Sequence, residues 1–467
     1  MNKKYKYLLK NTGILTISNF SSKLLSFFLV PLYTSVLTTE EYGTFDIINT
    51  TLQLLMPFLA LNIYEGVMRF MMDKEVDKSD VASVGFKYVN IGILIFLCII
   101  LVNYFLDFWP ALAQYSVYAF LSFSFTLFFQ YVNQFAKGLE YVSAMGIAGV
   151  IGTVTTLAFN IILLLHFHMG LDGFYIASIV GQAVPTVYIS IAVDLYKYLK
   201  IHFNKNVEKD MIIYSAPMIM NQLGWWANNV SDRYVVTFMC GVAANGIYSV
   251  AYKIPTILST LGQIFIQAWQ ISAIKEYKNK DSKRFYGNAL NYMNNIICIC
   301  CMILILCSKF LGKLLYSKDF YVAWKYTPFL LLAIVFNSAS GILGPILTAQ
   351  KNSKALGVSA FYGALINAVL NVVLVYLMKD AQGAAIATAI SSYSIYFFRR
   401  RALRNDITIL NYSKMIFSWV CIIFQSLLII YTENYLIQLI LIAMVIAAYR
   451  RSLKKLFQFG LETILKR

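Results

Sequence analysis

Ionisable side chains interrupt stretches otherwise apolar enough to cross a bilayer, among them Lys23, Asp46, Asp232, Arg233 and Lys253. A Lys or Arg at the centre of such a stretch costs roughly 2.5–3.5 kcal/mol, so charge there defaults to function. Arg grips phosphate through its forked donors and Lys acts as a point charge, so a diphosphate suits both. The carboxylates of Asp46 and Asp232 suit ion coupling or a counter-ion role. Asp232 can equally staple two helices by pairing with Lys23 or Lys253. Lys23 stands twelve residues into its apolar run, a depth of about 18 Å at ~1.5 Å per helical residue.

The elements that carry these groups fill most of the chain. Of 467 residues, 59% are hydrophobic and 13% charged, and the mean hydropathy is +0.65. Soluble domains carry about 25% charged residues, so the chain belongs in a membrane. Apolar runs occur near 11–36, 44–64, 84–108, 111–135, 141–166, 171–194, 211–238, 244–272, 288–314, 325–349, 355–378, 382–398, 414–431 and 434–449. These predict an all-α integral membrane protein of about 14 transmembrane helices. Threading them from a cytoplasmic N-terminus puts 31 of the 39 Lys and Arg in cytoplasmic segments, five in external loops and three within spans. That asymmetry is the positive-inside rule, and it accounts for the net charge of +17 with no nucleic-acid partner.

A charged stretch from Tyr196 to Asp210 separates six runs from eight. It predicts a lobe over 1–200, a second over 201–404, and an appendage of two helices and a tail over 405–467. Thr12, Thr16, Asn19, Lys23 and Ser26 share one face of the first helix; Asp46, Thr50, Gln53 and Pro57 share one on the second. Ser215, Gln222, Trp226, Asn229 and Arg233 line the seventh, and Ser249, Lys253, Thr256, Thr260, Gln263, Gln267 and Gln270 the eighth. Steps of three and four place each set on one helical face, and such faces must meet other helices or water rather than lipid. A shift of 211 lays Ala144, Gly146, Gly152 and Asn160 on Ala355, Gly357, Gly363 and Asn371. Gly173 and Ala177 meet Gly383 and Ala387 after a one-residue gap. Paired six-helix halves around a polar space are the pattern of secondary transporters.

Enzymatic signatures are missing. The sequence has no Walker A, GxGxxG, HExxH or GxSxG motif, so neither an enzyme nor a cofactor is expected. The seven Cys include Cys298, Cys300 and Cys301 without CxxC spacing or a neighbouring His, and read as small apolar residues. The acidic run Asp73, Glu75 and Asp77 is interleaved with Lys74 and Lys78 and reads as a solvated loop. No metal is expected at either place.

The opening Asn11-Thr-Gly-Ile-Leu-Thr-Ile-Ser-Asn-Phe-Ser-Ser-Lys23, with Pro31-Leu-Tyr-Thr and Glu41-Tyr-Gly43, resembles the polysaccharide-repeat flippases. So do Ser231-Asp-Arg233, Gly246-Ile-Tyr-Ser-Val-Ala-Tyr-Lys253 and Gln350-Lys-Asn352. These flippases belong to the multidrug/oligosaccharidyl-lipid/polysaccharide exporter superfamily. The resemblance implies two six-helix lobes, a central cavity lined by the first, second, seventh and eighth helices, and translocation of an undecaprenyl-diphosphate-linked oligosaccharide by alternating access. It implies a multi-pass protein of the bacterial plasma membrane, working with membrane lipids, a polysaccharide polymerase and glycosyltransferases. Related lipid II flippases carry cationic residues in the first and eighth helices, where Lys23 and Lys253 stand here; an arginine of their second helix has no clear match.

The expected substrate-binding residues are Lys23, Arg233, Lys253, Asn19, Gln53, Asn229 and Gln263, with Asp46 and Asp232 as coupling or counter-ion carboxylates. Glu65 and Arg69 stand at the cytoplasmic mouth as a gate, with a surface ion pair at i, i+4 as the plainer reading. One rival is a multidrug or cation antiporter of the same superfamily, which would favour acidic cavity residues. Another is a membrane-embedded glycan polymerase, which would carry a large external loop. With both termini cytoplasmic, reporter fusions at Gly43, Gly241 and Lys379 should read external; a cytoplasmic signal at any two of them rejects this topology.

Overall fold

The computed structural model describes residues 27–277, 281–350, 352–409, 411–432 and 434–465, with backbone only at 225, 228, 268, 271 and 451–465. The described residues are helical throughout, with no strand among them. Among the described residues, eight helices are long and apolar enough to cross a membrane, and nine if one bent pair counts as a span. The first expected span lies largely outside the described residues, and several others are broken, so the total of fourteen rests on the sequence pattern.

The chain divides into two compact units between Tyr234 and Val235, later than the expected boundary after residue 200. The first unit begins with α1 (Val30–Val36) and α2 (Thr39–Leu59). Thr38 and Glu41 close a reciprocal capping box at the start of α2, which satisfies two of its orphan N–H groups. Tyr33 stacks on Tyr42 with ring centroids 4.9 Å apart. Pro57 removes a rung from the helix ladder, and Leu61 and Asn62 take positive φ. Beyond that break α3 (Ile63–Met71) turns away by 58°.

The unit continues with α4 (Lys78–Leu106), α5 (Pro110–Gln114), α6 (Ser116–Gly138), α7 (Val142–Asn160), a π turn over Ile161–His166, α8 (Gly170–Ala192) and α9 (Leu195–Tyr198). Only 28% of the apolar window of α4 is buried, as expected of a helix with a broad lipid-facing surface. Its inner face packs on α6, where Phe96 and Phe123 stack at 4.2 Å and Tyr131 donates to the Ala82 carbonyl at 2.8 Å. The acidic loop works locally: Asp77 accepts from the Ser79 N–H as the cap of α4 and pairs with Lys200.

Three further segments complete this unit: α10 (Lys205–Ser215), α11 (Met218–Val230) and the start of α12 (Asp232–Cys240). The apolar run expected as one seventh span is thus interrupted twice. Pro217 accounts for the first interruption, because it cannot donate back to the preceding turn. Polar ties attach α10 to the first-half helices. Lys87 contacts the Glu208 carboxylate at 2.7 Å and Tyr88 donates to it at 3.0 Å. These contacts move the boundary past residue 200: the first segments of the second half in sequence are packed with the first half.

The second unit contains α13 (Val242–Ala251), α14 (Lys253–Glu276), α15 (Ser282–Leu306), α16 (Ser308–Leu315), a 3-10 turn over Lys318–Lys325, α17 (Thr327–Ala349), α18 (Ser353–Met378), α19 (Gln382–Ala402), α20 (Tyr412–Tyr431) and α21 (Tyr435–Leu465). Its centre is α17, 83% of whose apolar window is buried; a helix apolar on all sides belongs in the core. The appended α20 and α21 are held by a polar knot. Trp419 donates to the Asn294 side-chain oxygen at 2.8 Å, Asn294 donates to the Tyr449 hydroxyl at 3.3 Å, and Gln425 donates to the Met302 carbonyl at 3.0 Å.

The internal repeat is visible as repeated packing. In the hairpin of α7 and α8, a side chain at Gly173 would press against Leu163; in the hairpin of α18 and α19, one at Gly383 would strike the backbone of Leu374. Leu163 and Leu374 keep the 211-residue offset, and Asn160 and Asn371 are both buried. Small residues let each hairpin close tightly.

The hydrogen bond and charge of Lys87 hold the Glu208 carboxyl below its ordinary range, against the opposing effect of burial. A depressed carboxylate contributes stability above its unfolded pKa and loses it as the pH falls through the folded value. Acidification through and below the usual carboxylate range should therefore lower the thermal midpoint of the wild type more than that of Glu208→Gln. Equal acid sensitivity in a melting series would remove this tie from the account.

Candidate functional site

Two of the polar stripes meet. The face of α2 carrying Asp46, Thr50, Gln53 and Pro57 lies against the face of α11 and α12 carrying Gln222, Trp226 and Arg233. Arg233 Nη1 contacts Asp46 Oδ1 at 2.7 Å and Thr50 Oγ1 at 3.3 Å. One helical turn along, Trp226 Nε1 donates to the Thr50 carbonyl at 3.1 Å. Thr51 Oγ1 and the Tyr234 hydroxyl lie 2.6 Å apart, and the Trp226 and Tyr234 rings meet edge to face at 5.4 Å. Further along α2, Gln53, Pro57, Tyr64, Gln222 and Trp226 line a small recess of about 60 Å³.

The ion pair is largely withdrawn from solvent, with side-chain exposures of 22% for Arg233 and 12% for Asp46. Taking two charges out of water is expensive, and their attraction repays it only with good geometry and further hydrogen bonds. Thr50 supplies one of these on the arginine. The expected division of labour, with Arg233 for substrate and Asp46 for ion coupling, thus becomes one bonded unit. Asp232 opens α12 and its carboxylate accepts from the Arg233 N–H at 3.0 Å, a favourable place for a negative charge at a helix start.

The other expected residues are dispersed. Lys253 is the first residue of α14, partly exposed, in the second unit. It follows a break at Tyr252 that Pro255 imposes, since its ring cannot donate to the preceding turn. Gln263 is exposed on the same helix, and Asn229 is exposed on α11. Lys23 and Asn19 lie outside the described residues. The expected surface ion pair between Glu65 and Arg69 is not among the described ion pairs. Instead Glu65 accepts from Gln134 of α6 at 3.0 Å, and Arg69 is exposed. Sequence periodicity missed Thr51 and Tyr234, because each stands one position off its stripe; adjacency to Thr50 and Arg233 was the only available signal.

An all-helical chain with apolar spans, broken helices and facing polar stripes is a multi-pass membrane protein of the transporter type of fold. It is similar to the lipid II flippase MurJ in an inward closed conformation, at 17% identity and TM-score 0.73, over 94% of this chain and 100% of that one. It is also similar to an inward-facing multidrug resistance MATE family transporter of the MOP superfamily, at 13% identity and TM-score 0.65, over 83% and 95%. A MOP superfamily transporter from Pyrococcus furiosus matches at 14% identity and TM-score 0.58, over 85% and 96%. Comparison with curated protein sequences finds no match. The polysaccharide biosynthesis protein family matches residues 8–270, and the chain belongs to that family.

Removing one partner of a withdrawn ion pair leaves an uncompensated charge, at a cost of about 3–5 kcal/mol. Asp46→Ala and Arg233→Ala should each destabilise the purified protein, and the double variant should lose much less than their sum, by at least ~1 kcal/mol. Additive losses in the double-mutant cycle would show that the contact carries no coupling energy.

Proposed function

We propose that this protein is a flippase that carries an undecaprenyl-diphosphate-linked oligosaccharide across the bacterial plasma membrane by alternating access, for cell-surface polysaccharide assembly. Membership of the polysaccharide biosynthesis family and a fold shared with a lipid II flippase support this reading. One observation carries it: the Asp46–Arg233 pair, withdrawn from solvent on facing polar stripes. Arg233 is a phosphate-type donor already occupied by an internal anion. A diphosphate brings more negative charge and more acceptor oxygens than one carboxylate, so it competes for the guanidinium. Asp46 then holds Arg233 in the empty state and yields it to substrate. Lys253 and Lys23 supply further positive charge for the diphosphate, while Gln53, Asn229, Gln263 and Asn19 serve the polar sugar. Asp232 and Asp46 are the carboxylates available for ion coupling, and Glu65 and Arg69 act at the mouth. A polymerase and glycosyltransferases act on the same glycan on either side of this step. The fold shared with MATE transporters supports a second reading, export of a cationic drug, in which Asp46 is the binding group.

Surface glycan and membrane level measured together test the proposal. Arg233→Ala and Lys253→Ala should abolish most export per inserted molecule, with a lower membrane level for Arg233→Ala because it breaks the ion pair with Asp46, and Arg233→Lys should retain part of the export because charge is kept without the fork. Normal export by both alanine variants removes the phosphate-binding role. Intact glycan export combined with Asp46-dependent resistance to a cationic drug favours the second reading.

A further inference from the structure

A second arginine is set into the structure far from this pair in sequence. Arg399 ends the apolar part of α19 and opens the basic run Arg399, Arg400, Arg401 and Arg404. Its side chain turns inward among three helices. Nε donates to the Ser359 hydroxyl of α18 at 3.2 Å, and Nη1 donates to the Ser340 carbonyl of α17 at 3.0 Å. Ser359 is fully buried and Ser340 is 4% exposed. The missing side chain of Gly344 makes room, since a Cβ there would lie 3.3 Å from Nη1.

A guanidinium has five donors, and these contacts use two. Both partners are neutral, and no carboxylate pairs with Arg399 among the described residues. A charge placed this way ordinarily has an anion beside it. Nη2 makes no hydrogen bond among the described residues and is not among the sealed, unsatisfied atoms, and Arg399 is partly exposed, so this edge is accessible. Arg399 also stands where the apolar run of α19 stops, the level at which lipid phosphates lie.

We propose that Arg399, held by Ser359 and Ser340, is the anchor of a phosphate-binding site at the basic end of α17, α18 and α19, occupied by the headgroup of an anionic phospholipid. The two neutral hydrogen bonds fix the plane of the guanidinium and leave its outer edge for phosphate oxygens. Its residues all belong to the second unit, whereas the Asp46–Arg233 pair belongs to the first.

Native mass spectrometry and thermal melting of the full chain in phosphatidylcholine, with phosphatidylglycerol or inorganic phosphate added, test it. The wild type should retain phosphatidylglycerol and melt higher with it. Arg399→Gln should weaken retention roughly tenfold, the scale of a lost charge-assisted contact, and Arg399→Lys should keep part of it. Arg401→Gln, on an exposed neighbour, should match the wild type. Equal retention by Arg399→Gln and wild type overturns the site. So does the absence of any phosphatidylglycerol-specific shift in the wild type, a readout that needs no variant to fold. A shift with inorganic phosphate and none with lipid overturns the assignment to a headgroup.

Discussion

Inside a bilayer there is no water to accept a stray charge or an unpaired amide, so every such group must be answered from within the protein. The Asp46–Arg233 pair is where that constraint acts most strongly. It joins a helix near the start of the chain to one near its middle, and the neighbouring Trp226–Thr50 and Tyr234–Thr51 contacts run beside it. Without it, two charged faces would each need another solution. With it, α11 and the start of α12 become part of the first unit.

Helix breaks decide where the charges stand, and Pro255 imposes the one before Lys253. The expected seventh and eighth spans are both broken, after Ser215 and at Tyr252. Lys253 begins a helical segment, and Arg233 is the second residue of one. Segment starts are irregular places in a helix, as in the discontinuous helices of transporters.

Much of this was readable in advance. Apolar runs and charge asymmetry gave the all-helical membrane class, and the 211-residue offset anticipated two hairpins with matching contacts at Gly173 and Gly383. The residues behind the family resemblance have a plainer meaning in the structure. Tyr33 stacks on Tyr42, Glu41 completes a capping box, and Tyr248 is buried edge-on to Tyr252. These residues hold the framework, while Arg233 and Lys253 of the same motifs carry the proposed substrate role. The partner of Arg233 was not legible, because periodicity assigns a face to a helix but not the face opposite. The same limit hid the Glu65–Gln134 contact, the inward turn of Arg399 and the Asn294 knot under the appended helices.

The separation of the ion pair along the chain has a temporal meaning. Asp46 and Arg233 are 187 residues apart, and a ribosome adding ~5–20 residues per second needs roughly 10–40 s to cover that distance. For that interval α2 exists without Arg233. Until then the first-unit face of that helix must be satisfied without Arg233. Neutralisation then occurs when α12 emerges, so the final seating of an early helix is timed by the synthesis of a late one. A nascent chain stopped short of Arg233 would lack this contact between its second helix and its middle.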